Sequence, residues 1–311
     1  MPADGPAYRL HEPLPTLDRP VLVAMLTGWI DASGAAAAAV ARLEQAIVAR
    51  PLATFDGDLF IDYRARRPTM ELREGVNERL VWPEIELKVG RTPTGDDVLV
   101  LTGPEPDTAW RGFAATVTDL AIELGVRMVV VLGAYPFATP HTRPSRLSSS
   151  SPSAELIASV PFLKNSVDVP AGMGAVLEHA FVAKGVPALG IWAQVPHYLG
   201  TMSHPAASAA LLDGIDRVAG VVIDRSALAS EAEIQRLRVD QLIEANAEHR
   251  AMVEQLEQVF DASEPTGIVT GIDTGIDTGL DGGFQMPSAA DLPSGDDIAA
   301  EVERYLRDQG D

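Results

Sequence analysis

The stretch Arg19 to Arg50, RPVLVAMLTGWIDASGAAAAAVARLEQAIVAR, constrains the fold of this chain more than any other. Val21 to Leu26 is a continuous apolar run of strand length, and a strand with no wet side belongs in a sheet covered on both faces. Gly28 breaks the run. Asp31 or Ser33 then stands where a helix needs an acceptor for its first free amides, and Ala36, Val40, Leu43 and Ile47 share one helical face. Strand, glycine turn and capped helix open an α/β domain, and ligands of such domains gather at the carboxyl ends of the parallel strands. Gly28, Trp29 and Asp31 are therefore candidates for a binding surface, beside their plainer duties of turning, packing and capping.

The remainder of the chain has the material for such a fold. It has 311 residues and is 46% hydrophobic, enough for one large domain with an appendage. The formal net charge of −20 repels phosphate backbones, so no nucleic-acid partner is expected. Cysteine is absent, which removes disulfides, thiolate nucleophiles and Cys-based zinc sites. The start, MPADGPAYRLHEPLP, lacks the charged and apolar regions of a signal peptide, and no stretch is long enough to span a bilayer. A cytoplasmic location and no membrane partner are the expectation.

Taken in order, residues 1–18 read as a proline-rich lead-in with a short edge strand at Tyr8 to Leu10. LATF and DLFIDY are both β-prone and flank the turn signal Asp56-Gly57, and a further strand is expected near Leu80 to Val89 after a polar excursion from the sheet. Asp97 to Thr102 is another apolar strand. Trp110, Phe113, Val117, Leu120 and Leu124 line a helix after an Asp107 cap, with Gly125 at its end and a buried strand at Met128 to Leu132. The pattern repeats with a helix from Met173 to Phe181, a strand over Ala188 to Val195, and a third helix opened by Pro205 and stopped by Gly220. This alternation predicts a three-layer α/β/α sandwich with a mostly parallel sheet.

Residues 221–260 contain neither Gly nor Pro. They read as a long helix or a helical hairpin bent near Asn246, with a capping box at Ser230 and Glu233 and apolar positions Leu242, Ala245, Met252, Leu256 and Val259. Such a stripe packs on the α/β core or on another subunit, which makes a homo-oligomer the expectation. From Ser263 to Gly295 the chain is rich in Gly and Asp and repeats itself as GIDTGIDTGLDGG, the composition of a linker; Asp273, Asp277 and Asp281 lack the spacing of a calcium loop. Asp296 to Arg307 reads as a terminal helix. The resulting division is an α/β/α domain over 1–225, a helical appendage over 226–262, and a linker with a terminal helix over 263–311.

Few residues carry a chemical signal. The loop at 133–153, GAYPFATPHTRPSRLSSSSPS, gathers Tyr135, His141, Arg143 and Arg146 in an otherwise acidic chain. Pro152 is placed to open a helix whose free amides suit an anion. The alternative is a loop whose two arginines pair with local carboxylates. There is no G-x-S-x-G elbow, no phosphate loop and no full dinucleotide fingerprint, so no cofactor is expected. Glu178-His179 reads as helix surface rather than a metal site, and His141, His179, His197 and His204 form no H-E-x-x-H pair, so no metal is expected either.

The blocks GWIDASGAA, DTAWRGFA, VVVLGAYPFATPHTRP and VPAGMGAVLEHAFVAKGVPALGIWAQVPHYL occur in that order. Together they resemble the bacterial branch of the proteasome-assembly-chaperone-2 family over about residues 8–260. The resemblance implies a sandwich related in topology to nucleoside phosphorylases, a helical appendage, and a non-catalytic role in which relatives hold proteasome α-type subunits during ring assembly. Relatives commonly engage the core particle through a C-terminal hydrophobic-Tyr-any tail. The sequence ends Arg307-Asp308-Gln309-Gly310-Asp311, so docking by that route is not expected. The alternative is a small-molecule enzyme or ligand binder, phosphorylase-like or ATP-grasp-ligase-like, holding an anionic substrate between Arg143, Arg146 and the Gly28 to Asp31 turn.

Overall fold

The structure, a computed structural model, describes residues 7–263 and 268–270. The linker repeat with Asp273, Asp277 and Asp281 and the expected terminal helix lie outside these residues. The opening unit forms as its sequence dictates: β2 (Val21–Thr27) is followed by a turn at Gly28, a single 3-10 turn and α1 (Ala35–Ala46). Successive residues of β2 enter opposite cores. Val21, Val23 and Met25 pack with α1, and Leu22 and Ala24 pack into the other layer. Each of the larger of these side chains, the valines, Leu22 and Met25, contributes about 1.5–3 kcal/mol relative to exposure.

β2 lies near the middle of an eight-stranded sheet, between β7 (Asp97–Pro104) and β8 (Met128–Phe137), and β11 (Ala188–Pro196) follows β8. These four run parallel. The sheet is nevertheless mixed. On one wing β6 (Glu86–Arg91), β3 (Arg50–Phe55) and the edge strand β1 (Tyr8–Leu10) pair antiparallel, and on the other β9 (Leu147–Ser150) runs antiparallel to β11. The sequence expectation of a mostly parallel sheet thus describes the centre and not the wings. α1 and α6 (Pro205–Ala219) cover one face, and α3 (Trp110–Glu123) and α5 (Met173–Ala183) cover the other. Gly125, Gly185 and Gly220 adopt positive φ where α3, α5 and α6 end.

Several local expectations need correction. DLFIDY is not a strand: Asp56 caps a single helical turn, α2 (Gly57–Phe60), through a bond from the Asp58 amide, and Phe60 is carried into the core. The segment Leu80 to Val89 is divided between β5 (Val76–Val81), which pairs only with β4 (Thr69–Arg73) in a separate hairpin, and β6. Asp107 does not cap α3, whose N-cap is Ala109; its carboxylate takes the Asp62 amide and the Arg66 guanidinium instead. The helix expected after Pro152 is the short α4 (Ala154–Ser159), capped by Ser153 through the Leu156 amide, and β10 (Lys164–Ser166) follows it.

The segment after the α/β layers is a hairpin of α7 (Ser226–Glu244) and α8 (Ala247–Ala262). The break falls at Asn246, whose side chain accepts the Glu248 and His249 amides. Ser230 is not a cap. Its hydroxyl donates to Ser226 O within α7, and Glu233 pairs with Arg236. The inward residues are Leu228, Val239 and Val253, whereas Leu242 of the expected apolar stripe is 63% exposed and Ala245 is exposed as well. The hairpin lies in the same compact unit as the sheet.

Candidate functional site

The carboxyl ends of β2, β7 and β8 come together at the Gly28 turn. Gly28 has φ +140°, a conformation that other residues rarely adopt, and a Cβ there would crowd the Glu105 Oε2 and the Arg66 Nη2 at 3.2 Å. Asp31 bridges Ala134 of β8, which sets the turn beside the end of that strand. Its carboxylate accepts the Ala36 amide at 2.8 Å and the Ala37 amide at 3.0 Å, capping α1 from one turn away. Burial pushes the Asp31 carboxyl above its ordinary range, and these amides oppose the shift. Trp29 is 38% exposed and leans over Gly172, where a Cβ would meet its Cδ1 at 3.1 Å.

At the centre of this turn lies a buried carboxylate that sequence reasoning missed. Glu105 follows β7; its amide donates to Thr27 O at 2.6 Å, and its side chain accepts the Met173 amide at the start of α5. The ends of the parallel strands β2 and β7 are thereby tied to the start of α5. Arg66, held by Asp107 at 3.1 Å, closes the outer side. The available signal was positional: Glu105 directly follows the strand terminator Gly103-Pro104.

Tyr135 projects into a second polar group. Its hydroxyl lies 3.2 Å from Ser148 Oγ and accepts from Asn165 Nδ2 at 3.3 Å and Gln194 Nε2 at 3.1 Å. Ser148 and Gln194 are buried, so the hydroxyl satisfies side chains that would otherwise lack partners.

His141, Arg143 and Arg146 belong to a third place, where the loop after β8 grips the helical hairpin. His141 is buried; Nδ1 lies 2.7 Å from the Tyr198 hydroxyl and Nε2 lies 3.0 Å from Asp240 of α7. Burial pushes the Tyr198 hydroxyl up to about 12. Arg143 is bidentate to Asp261 at 2.8 Å through both nitrogens and reaches Glu257 at 3.1 Å, and Arg143 draws the Asp261 carboxyl below its ordinary range. The Arg146 guanidinium lies 3.7 Å from the centre of the Phe260 ring and donates to Phe260 O at 2.9 Å. Both arginines are thus engaged by α8 and its end, and their partners do not include the Gly28 turn. The seven candidate residues divide among three groups and do not form one anion-binding set.

Glu178 also departs from expectation. It is not surface chemistry but lies buried on α5 against β11, where Ser150 Oγ donates to it at 3.2 Å and Trp192 Nε1 donates to Ser150 at 3.2 Å. Desolvation pushes its carboxyl up to about 8. A cleft of about 310 Å³ lined by Asp18, Arg19, Asp96, Asp97 and Arg127 opens at the amino ends of β2, β7 and β8, the edge opposite the one that α/β sheets use for ligands. Among the described residues no group of three or more His, Asp or Glu side chains is placed to hold a metal, and no helix is long and apolar enough to cross a membrane.

Comparison with known proteins places this geometry in context. The model of the PAC2 family matches residues 25–243. A Streptomyces avermitilis PAC2 family protein is 35% identical with a TM-score of 0.68, over 75% of this chain and 99% of its own. The Mycobacterium tuberculosis proteasome-assembly chaperone homologue is 34% identical with a TM-score of 0.70, over the same shares. A Corynebacterium glutamicum protein of unknown function reaches a TM-score of 0.76 at 30% identity, over 83% of this chain and 97% of its own. No curated protein matches the chain.

Proposed function

The chain belongs to the PAC2 family, and from that premise we propose that it is a non-catalytic assembly or interaction factor of the proteasome-assembly-chaperone type, acting in the cytoplasm. The observation that carries the reading is the 34% identity to the Mycobacterium tuberculosis proteasome-assembly chaperone homologue across nearly all of that protein. The disposition of polar side chains supports it. Arg143, Arg146 and His141 are engaged in holding α7 and α8 to the body, and Glu105 and Asp31 are engaged in tying loops and capping a helix. These groups shape a surface rather than await a substrate. The partner in this reading is a proteasome α-type subunit, recognised by surface complementarity.

Native co-purification with core-proteasome subunits tests the proposal. The expected result is recovery of unassembled α-type subunits with the full chain, and absence of binding at micromolar concentration overturns it. One observation favours a second reading as ligand binder: Trp29 stands part-exposed above Glu105 at the strand ends. Thermal melting with nucleosides, ATP and phosphate, with and without magnesium, separates the two, since a ligand of the native state raises the midpoint and a chaperone surface leaves it unmoved.

A further inference from the structure

The α7–α8 hairpin is attached to the body more by polar bonds than by apolar burial. Of the residues in its two helices only Leu228, Val239 and Val253 are buried. The polar attachments differ in kind along it. α8 is held by the guanidinium groups of Arg143 and Arg146, which keep their charge throughout the physiological range. Asp261, drawn below its ordinary range by Arg143, stays ionised in mild acid. The polar hold on α7 instead passes through two buried histidines, His141 on Asp240 at 3.0 Å and His204 on Gln235 at 3.1 Å. Histidine is the side chain whose ordinary titration falls between pH 5 and 8.

The surroundings of His204 fix its neutral form. Gln235 Nε2 donates to Ser203 O, so its Oε1 faces His204 Nδ1 and accepts the ring proton. The ring Nε2 is left bare, and Ser145 Oγ donates to it at 3.3 Å. A second proton on the ring would face that hydroxyl and place a charge where, among the described residues, no carboxylate pairs with His204. The charged groups around it are already committed. His141, from the loop after β8, lies between the Tyr198 hydroxyl and Asp240. Arg236 and Asp240 of α7 pair with each other at 2.6 Å, and Glu257 of α8 pairs with Arg143. Asp213, the first titratable side chain along α6, pairs with Arg217 and Arg225. We propose that His204 is an acid-sensitive latch, whose protonation loosens α7 from the body while α8 stays clamped by Arg143 and Arg146. Burial holds the His204 imidazole below its ordinary value of 6.5, the Gln235 bond opposes this, and His141 adds to it. The hold of the neutral ring is therefore complete above pH 6.5 and is lost as pH falls below it, because a detached α7 leaves His204 free to charge. A proton on His141 would instead be met by the Asp240 carboxylate, which is why the latch is assigned to His204.

Amide hydrogen exchange of the full chain at pH 7.5 and 5.5, expressed as protection factors so that the intrinsic pH dependence cancels, tests the latch. Protection across 235–243 is expected to fall several-fold, at most about tenfold one unit below 6.5, while 252–260, β2 and β8 keep theirs. His204→Asn keeps a neutral donor toward Gln235 and a favoured cap for α6, and should abolish the fall. Gln235→Glu gives the second ring proton a carboxylate partner, and should reverse the trend, with 235–243 better protected at pH 5.5 than at 7.5. Gln235 is half-buried on α7, so this variant serves should His204→Asn fail to fold. Unchanged protection of 235–243 in the wild type, a fall that persists in His204→Asn, or a fall in Gln235→Glu as large as that of the wild type overturns the proposal. A fall shared by β2 and β8 overturns it too, since that reports unfolding of the whole chain in acid.

Discussion

Glu178 is held in the folded protein with its carboxyl pushed up to about 8 from an ordinary value of 4.5. The folded state therefore keeps its proton where the unfolded chain releases it. The resulting contribution is fully present below pH 4.5 and is lost as pH rises through about 8, a change on the order of a few kcal/mol. Urea unfolding of the wild type at pH 5, 6.5 and 8 should show this decline, and Glu178→Gln should flatten it; an equal slope in both proteins counts against the assignment. A second residue tests the same wall. A Cβ on Gly190 would collide with the Ser150 hydroxyl, so Gly190→Ala should cost about 1–3 kcal/mol of stability by overpacking, read from the urea midpoint. None of this was legible locally. In sequence Glu178 sits beside His179 on a helix of ordinary look, and its burial comes from a glycine on β11 and a serine on β9, which only the fold brings together. Asp31 is the contrasting case, because a cap and the amides it serves are neighbours in the chain.

Among the elements, those whose signals are short-range formed as expected. β2, β7, β8 and β11 were visible as apolar runs, the helix ends at Gly125, Gly185 and Gly220 as glycines, and the bend near Asn246 as a lone cap in a segment without Gly or Pro. The errors share a cause. β4 and β5 differ from β6 only in having no neighbouring layer, and sequence pattern does not reveal the absence of a neighbour. Arg143 of the loop after β8 was visible as a cation, but its carboxylate partners Glu257 and Asp261 lie 114 and 118 residues downstream. The attachment of the helical hairpin is testable through those pairs. Arg143→Ala should quicken amide hydrogen exchange across Ala247–Ala262 while β2 and β8 keep wild-type protection. His141→Ala, which removes the imidazole from between the Tyr198 hydroxyl and Asp240 while leaving the His141 amide on that hydroxyl, should cost about 1–3 kcal/mol in urea unfolding and loosen α7 as well. Exchange that rises equally in sheet and hairpin would mean that the two unfold as one.

At the scale of the whole molecule, a rigid α/β/α body carries two acidic helices on one set of clamps and an apolar arm that its own sheet does not cover. The polar groups that first suggested an anion site are spent on internal attachment, and exposed large apolar side chains gather on the β4–β5 arm and on α7 as well as at scattered positions such as Val48 and Val167. Such a distribution suits recognition of another protein more than turnover of a small molecule. The most direct measurement combines the purified full-length chain with unassembled α-type subunits of the cognate proteasome at micromolar concentration and follows both by sedimentation. Proteasome-assembly function requires a co-sedimenting complex that gives way as α rings form. Independent sedimentation of the two proteins at every ratio, with ring formation unchanged by the chain, would contradict it.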